Sequence, residues 1–255
     1  HILQISTRPV DFWTVMYNEG ELLEKFGIRI YPITMSEFTD RVLKLEKGNN
    51  PEVLKTIAYL ENNLDILVPQ QDVIRVAALK TAMKTFALEN GCSGIAIQCW
   101  NALQDVLHIM PCMSNSLLTD EGIPVACETD IHGAITAVLA QAAAMGETPP
   151  FFADWTVRHP SNKNGELLQH CGPWPVSLTK EGTKAELGTV WGFGEDYSGV
   201  VNAEIKGGEI SILRFDGDHG EYTLLMGKAR GINGPYNRGS YLWVEVKNLN
   251  KLEHM

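Results

Sequence analysis

Two carboxylates and one imidazole, Glu128, Asp154 and His170, are the residues in this chain best placed to do chemistry. Glu128 ends the run IPVACE and Asp154 ends FFAD, so each follows a short apolar segment, the end-of-strand position where α/β proteins expose ligands. His170 lies further on, among Cys, Gly and Pro, in LLQHCGPWP. A charge after VAC or FFA is costly unless it is paired, metal-bound or exposed at the strand end. The plainer reading is that each carboxylate caps the segment that follows it. Together with His170 they form an oxygen-rich set able to hold one divalent cation, with Mn²⁺ or Mg²⁺ favoured over a thiolate-selected metal. Gln98, Trp100 and Asn101 close the strand GIAIQCW, where a sugar's apolar face could rest on the indole. Arg158, just after Asp154, is read either as an ion-pair partner in the site or as a surface cation. Asp130 and His132 share the turn after Glu128 and are expected to be core or supporting groups.

The elements that must position these residues alternate. ILQIS (2–6), IRIYPI (28–33), GIAIQCW (94–100), IPVACE (123–128) and FFAD (151–154) read as strands. Between them lie helical patterns: one or two helices in 12–26 closed by Gly27, one started by Ser36 and running to about Lys47, another starting after the breaker Gly48-Asn49-Asn50-Pro51, one from 71 to 89, one within 101–122 and an Ala-rich one over 129–145. LDILV (64–68) fits helix or strand. Strand and helix at this spacing imply a mostly parallel sheet with helices on both faces. After about Val157 the pattern changes to 187–191, 199–205, 209–215, 221–229 and 241–246 as β-strands, with hairpin turns expected at Gly207-Gly208 and at Asp216-Gly217-Asp218. The expected architecture is an α/β domain over 1–157, carrying the acidic residues, and a β-rich, barrel-like domain over 158–255.

The 255 residues carry a formal net charge of −10 and no block of Lys or Arg, which argues against nucleic acid or an anionic membrane as partner. The five cysteines are scattered and fit neither a zinc site nor a secreted disulfide framework, so buried free thiols in the cytoplasm are expected. There is no GxGxxG after the first strand, no Walker-type loop, no GxSxG and no HExxH. HILQIS begins within a strand and KLEHM ends without a polar tail, so the chain reads as part of a longer protein.

In combination and order, RPVDFWTVMYNEGELLEKFGI, IAIQCWNALQ, MPCMSNSLLTDEGIPVACETDIHGAIT, FFADWTVRHP and LLQHCGPWP resemble the L-fucose and L-arabinose isomerase superfamily, in particular its fucose-isomerase-like branch. The resemblance covers most of the chain, is strongest from about Ile95 to Pro175 and is weaker in the β-rich part. It implies a cytoplasmic, metal-dependent aldose–ketose isomerase, a homo-oligomer using Mn²⁺ on a free sugar such as L-fucose or L-arabinose. Glu128 then matches the family's first acidic ligand and Asp154 the second, and the two also act as the acid–base pair. His170 looks like the additional histidine of the arabinose branch. The family's C-terminal histidine ligand follows a segment similar to KLEHM; the chain stops at Met255, and His254 does not match that ligand. A preceding α/β domain and that histidine are therefore expected in the full-length protein.

Moving a carbonyl between C1 and C2 proceeds through an enediolate, whose charge a divalent metal would stabilise. Glu128 is expected to move the carbon-bound proton and Asp154 the hydroxyl protons. A related reaction on a sulfonated or phosphorylated sugar, and a sugar-binding protein of the same fold without catalysis, remain the alternatives.

Overall fold

Residues 2–5 put alternate side chains on opposite faces of a sheet, and that alternation organises the first half of the molecule. In the computed structural model, which describes residues 1–190 and 196–252, β1 (Ile2–Ile5) lies parallel to β2 (Ile30–Ile33) and to β4 (Gly94–Ile97). β4 in turn pairs in parallel with β5 (Val125–Ala126), giving the order β2-β1-β4-β5. Leu3, Ile5, Ile33, Ile95, Ile97 and Val125 face a large core built with α2 (Met35–Lys47), α3 (Pro51–Asn63), α4 (Gln70–Glu89) and α6 (Cys112–Asp120). Ile2, Ile30, Ala96 and Ala126 face the opposite way, against α1 (Glu19–Phe26) and α7 (Ile131–Ala143). A sheet covered on both faces explains why β4 and β5 are apolar and fully buried. Its order reverses direction between β1 and β4, so the crevice at their C-terminal ends is the natural ligand position.

Local signals set the helix ends. Asn18 accepts from the Glu21 amide and Gly27, at φ +65°, closes α1 as expected. Asn50 with Pro51 opens α3. The helix expected from Ser36 starts earlier, because Thr34 supplies the capping oxygen to Glu37 N–H. Segment 101–122 forms two helices, α5 (Ala102–Leu107) and α6, with His108 left-handed between them.

The second sheet is mixed and runs β10-β11-β12-β9-β8-β3. Its strands are β3 (Asp65–Ile66), β8 (Glu186–Thr189), β9 (Ser198–Glu204), β10 (Glu209–Asp218), β11 (Glu221–Gly231) and β12 (Ser240–Glu245). On its other edge β12 pairs with β7 (Gly165–His170), which pairs with β6 (Asp154–Arg158). Within segment 64–68 Asp65–Ile66 form a short strand, and it belongs to this sheet rather than the first. A short α8 (Leu249–Leu252) follows β12. Trp191, expected to end a strand, and His254 lie outside the described residues.

Four expectations need correction. FFAD is not a strand of the parallel sheet: Phe151 stacks on the buried Trp174 at 4.3 Å, and Asp154 opens β6 instead of ending a strand. His170 sits at the end of β7, a strand paired along its length with β12, not in a Gly/Pro loop. Gly207-Gly208 does not turn β9 into β10, since β9 already has β8 and β12 as neighbours. The pair instead lets two backbones cross closely, with Gly231 N–H donating to the Gly208 carbonyl at 2.8 Å. Asp216-Gly217-Asp218 stays inside β10, and the turn is His219-Gly220, both at positive φ (+51° and +82°), as a two-residue hairpin requires.

Candidate active site at the end of the parallel sheet

The C-terminal ends of β1, β4 and β5 deliver Ser6, Gln98 and Glu128 to one edge. Glu128 lies one residue beyond β5, after Cys127, and it and Thr129 both adopt left-handed backbone, each at φ +54°. For residues with a Cβ this costs on the order of 1 kcal/mol each. Four contacts hold the kink: Thr129 N–H donates to Ile97 O at 3.0 Å, Asp130 N–H to Cys127 O at 3.0 Å, Glu128 N–H to Cys99 Sγ at 3.4 Å and Thr129 Oγ1 to Thr7 O at 3.1 Å. Asp130 caps α7 by accepting from Gly133 N–H at 2.8 Å, so the helix begins immediately behind the kink. A strained, over-determined residue at a sheet end marks a position held for something other than packing.

Glu128 is 7% exposed, and its carboxylate meets three partners. His170 Nε2 lies 3.7 Å from Oε2, the Cys99 thiol donates to Oε1 at 3.2 Å, and the Trp100 indole donates as well. Burial pushes its pKa up, but His170 and the two donors pull harder, leaving it below the ordinary glutamate value. Asp154, from β6, places Oδ2 at 4.0 Å from the same His170 nitrogen. Its side chain is 68% open, yet the desolvation by surrounding atoms and the Glu128 charge outweigh the pull of His170, and its pKa is raised. The two carboxylates therefore differ in kind: one buried and ionised, the other open and more readily protonated.

His170 is 7% exposed, packed edge-on against Phe152 at 5.4 Å. Burial disfavours its charged form; the Cys171 sulfur at 3.3 Å from Nδ1 and the Glu128 carboxylate reverse this and raise its pKa well above the usual value. Cys171 is in turn 3.5 Å from Cys112; that neighbour's hydrogen bond and the His170 charge bring its pKa down to about 6 against the cost of burial. Burial raises the Cys99 thiol well above its ordinary value, and Cys127 is raised as well. Cys99, Cys127 and Glu128 place one ligand atom each within 4.8 Å of one another, a cluster that could hold a metal ion. All five cysteines are free thiols.

Of the other expected residues, Gln98 accepts from Ser6 Oγ at 2.8 Å, and Trp100 packs edge-on against Phe12 at 5.4 Å. Asn101 is exposed and starts α5 after a cis Trp100–Asn101 peptide. Arg158 is not brought to the carboxylates. It lies at the far end of β6 from Asp154, about 13 Å along the strand, with Nε 3.4 Å from Glu166. Asp130 and His132 turn to β10: Arg214 bridges Asp130 and Asp216, and His132 Nδ1 is 3.0 Å from Asp216. Two contributors had no signal of their own in the sequence. Cys99 was only one of five scattered cysteines expected to be buried free thiols, and Gln104, on α5, donates to Cys99 O at 2.7 Å and to Ile109 O at 3.3 Å, tying the β4 end to the next loop.

No protein-family model matches the chain. It is similar to curated proteins named sulfoquinovose isomerase: 27% identical over 252 residues to that of Priestia aryabhattai, covering 95% of this chain and 53% of the relative. The protein of that name from Alkalicoccus urumqiensis is 27% identical over 239 residues, 91% of this chain and 51% of its own length. That of Clostridium sp. (strain MSTE9) is 24% identical over 170 residues, 67% and 37% respectively. The chain thus spans about half the length of the first two relatives. No helix among the described residues is long and apolar enough to cross a membrane.

Proposed function

We propose that the full-length protein interconverts an aldose and a ketose, and that its substrate is a sulfonated sugar rather than an unmodified one such as L-fucose or L-arabinose. The observation that carries the reaction is that Glu128 and Asp154, from separate segments, meet His170 Nε2 at 3.7 and 4.0 Å. The names of the relatives support the substrate class.

The donor set suits a hard divalent cation. Glu128 Oε2 and Asp154 Oδ2 lie 3.7 and 4.0 Å from His170 Nε2, two carboxylates and one imidazole of the ligand types such a cation takes. Binding at the oxygen-rich trio would displace one proton, that of His170, whereas ligation by Cys99 and Cys127, both with raised pKa values, would displace two, which favours the trio. Glu128, Asp154 and His170 would hold Mn²⁺ or Mg²⁺, which would supply Lewis-acid polarisation of the sugar carbonyl. Glu128, buried and ionised, accepts the carbon-bound proton and returns it to the adjacent carbon. Its Cys99 and Trp100 donors fix the carboxylate's orientation through the transfer. Asp154, open to solvent and with a raised pKa, carries hydroxyl protons in and out. Gln98 and Trp100 flank the crevice and orient the sugar. The free thiols fit a cytoplasmic enzyme, and the relatives' longer chains fit a pocket completed by further segments, in a homo-oligomer.

The test is turnover of sulfoquinovose, L-fucose and L-arabinose by the full-length protein with added Mn²⁺, beside the E128Q form. We expect sulfoquinovose to be preferred, chelation to abolish turnover, and E128Q to lower kcat by about 10²–10⁴-fold. Metal binding and sugar binding without turnover of any sugar would instead establish a sugar-binding protein.

A further inference from the structure

Resting on the isomerase reading above, we infer that the cavity beside Thr129 is the subsite for the sulfonate of the substrate and that Arg8 is its specificity-determining residue. The cavity holds about 290 Å³ and is lined by Gln4, Arg8, Tyr17 and Thr129, with Met16 on its apolar side. Its lining contains a single charged residue, a cation, in a chain whose net charge is −10.

The Arg8 guanidinium is prepared for an anion. Nη1 donates to the carbonyls of Pro9 at 3.1 Å and Val10 at 3.0 Å, and the group lies 5.2 Å from the Trp13 ring centroid. Carbonyls and a π-face position the cation without neutralising it, and no carboxylate among the described residues lies within ion-pair distance. Its Nε–H and second Nη remain to form the paired donors that a sulfonate's oxygens accept. Two other arginines on the neighbouring strands are committed. Arg214 is held between Asp130 and Asp216, and Arg158 is paired with Glu166 at the far end of β6.

The cavity is tied to the candidate catalytic residues by one peptide bond and a chain of hydrogen bonds. Thr129 follows Glu128 directly, and its hydroxyl donates to Thr7, the residue before Arg8. A second connection runs through side chains: Tyr17 Oη donates to Gln4 at 2.5 Å, Gln4 donates to Ser6 O at 2.8 Å, and Ser6 donates to Gln98 at 2.8 Å. Gln98 is next to Cys99, which touches Glu128. Burial and the Glu19 charge raise the Tyr17 phenol to about 12, so that wall stays neutral and adds no repulsion. A sugar with its carbonyl end at Glu128 can thus direct its anionic end to Arg8.

The test compares sulfoquinovose with quinovose, its sulfonate-free counterpart, on the full-length protein and its R8Q and R8K forms, by calorimetric binding and by turnover. We expect R8Q to weaken sulfoquinovose binding and kcat/KM by about 10- to 100-fold, the worth of a charged hydrogen-bonded contact. R8K should fall between, and quinovose should be nearly unaffected. Equal losses for both sugars, or none, would overturn the subsite while leaving the isomerase reading standing. Arg8-dependent binding of sulfoquinovose without turnover would do the reverse, and a wild-type protein that binds neither sugar would overturn both.

Discussion

At the scale of single residues, the site depends on groups that hold Glu128 and the β4 end rather than on the carboxylates alone. Gln104 is 4% exposed and its side-chain amide donates to the carbonyls of Cys99 and Ile109, both in the segments framing Glu128. Q104A would strand those buried acceptors, and we expect a loss of about 1–3 kcal/mol in denaturant unfolding together with reduced turnover. A second pair, away from the site, sets an acid-sensitive contribution. Lys80 is almost fully buried, and its ammonium meets Glu121 at 2.5 Å, with Lys84 at 2.8 Å on the other oxygen. Burial raises the Glu121 pKa, but the two ammonium groups outweigh it and bring it below its ordinary value of 4.5. A depressed folded-state pKa means the stabilisation is complete above the unfolded value and is lost as pH falls through the folded one. E121Q should therefore cost about 1–3 kcal/mol at neutral pH, less than a fully buried pair because Glu121 is a third open to solvent. The difference in Tm between wild type and E121Q should narrow as the pH is lowered past 4.5; a constant difference would refute the linkage.

At the scale of elements, the two sheets are sewn together where α5 meets α6. Met110 N–H donates to Ser198 O at 2.7 Å, and Ile109 bridges the same residue, so the loop after α5 runs beside the start of β9. Gly199, at φ +114°, makes that possible, because a Cβ there would collide with the Met110 carbonyl. G199A combines a disfavoured φ with a backbone clash, and we expect a loss of about 2 kcal/mol or more. The Cys112 and Cys171 contact lies beside this crossing, so near-ultraviolet circular dichroism and thiol accessibility should report the same disturbance. His170 shows how pairing overrides local composition. Cys, Gly and Pro follow it at once, yet β7 continues up to it because Ser240 of β12 lies opposite.

At the scale of the whole molecule, the β10–β11 hairpin reaches back onto the α/β sheet. Phe215 stacks with Tyr222, and both meet Phe26 of α1 edge-on, at 5.4 and 5.0 Å. Glu21 accepts from Tyr222 Oη at 2.8 Å, and Arg214 pairs with Asp130. β3, from the first half of the chain, pairs with β8, and one apolar core includes residues from both sheets. F215A should cost about 3 kcal/mol, and hydrogen exchange should show β10–β11 and α7 loosening together. Protection lost only in the hairpin would show that the two parts open independently.

The sequence by itself determined the alternation of strands and helices up to Glu128, the helix ends at Gly27 and Asn50–Pro51, and the change to β-rich structure, because each rests on local periodicity and capping. It also singled out Glu128, whose charge directly after a buried strand is a local anomaly. Only the tertiary structure decided what depends on partners distant in the chain. Asp154 and His170 lie on paired strands of the second sheet, where aromatic packing and the β7–β12 ladder overrode the turn-like composition nearby. Arg158 was taken by Glu166, and Arg8, which opens the RPVDFW motif but was assigned no role from it, was left as the one charge lining a cavity beside Thr129. Pairing and charge neutralisation are contests among side chains brought together by folding, and spacing along the chain does not record their outcome.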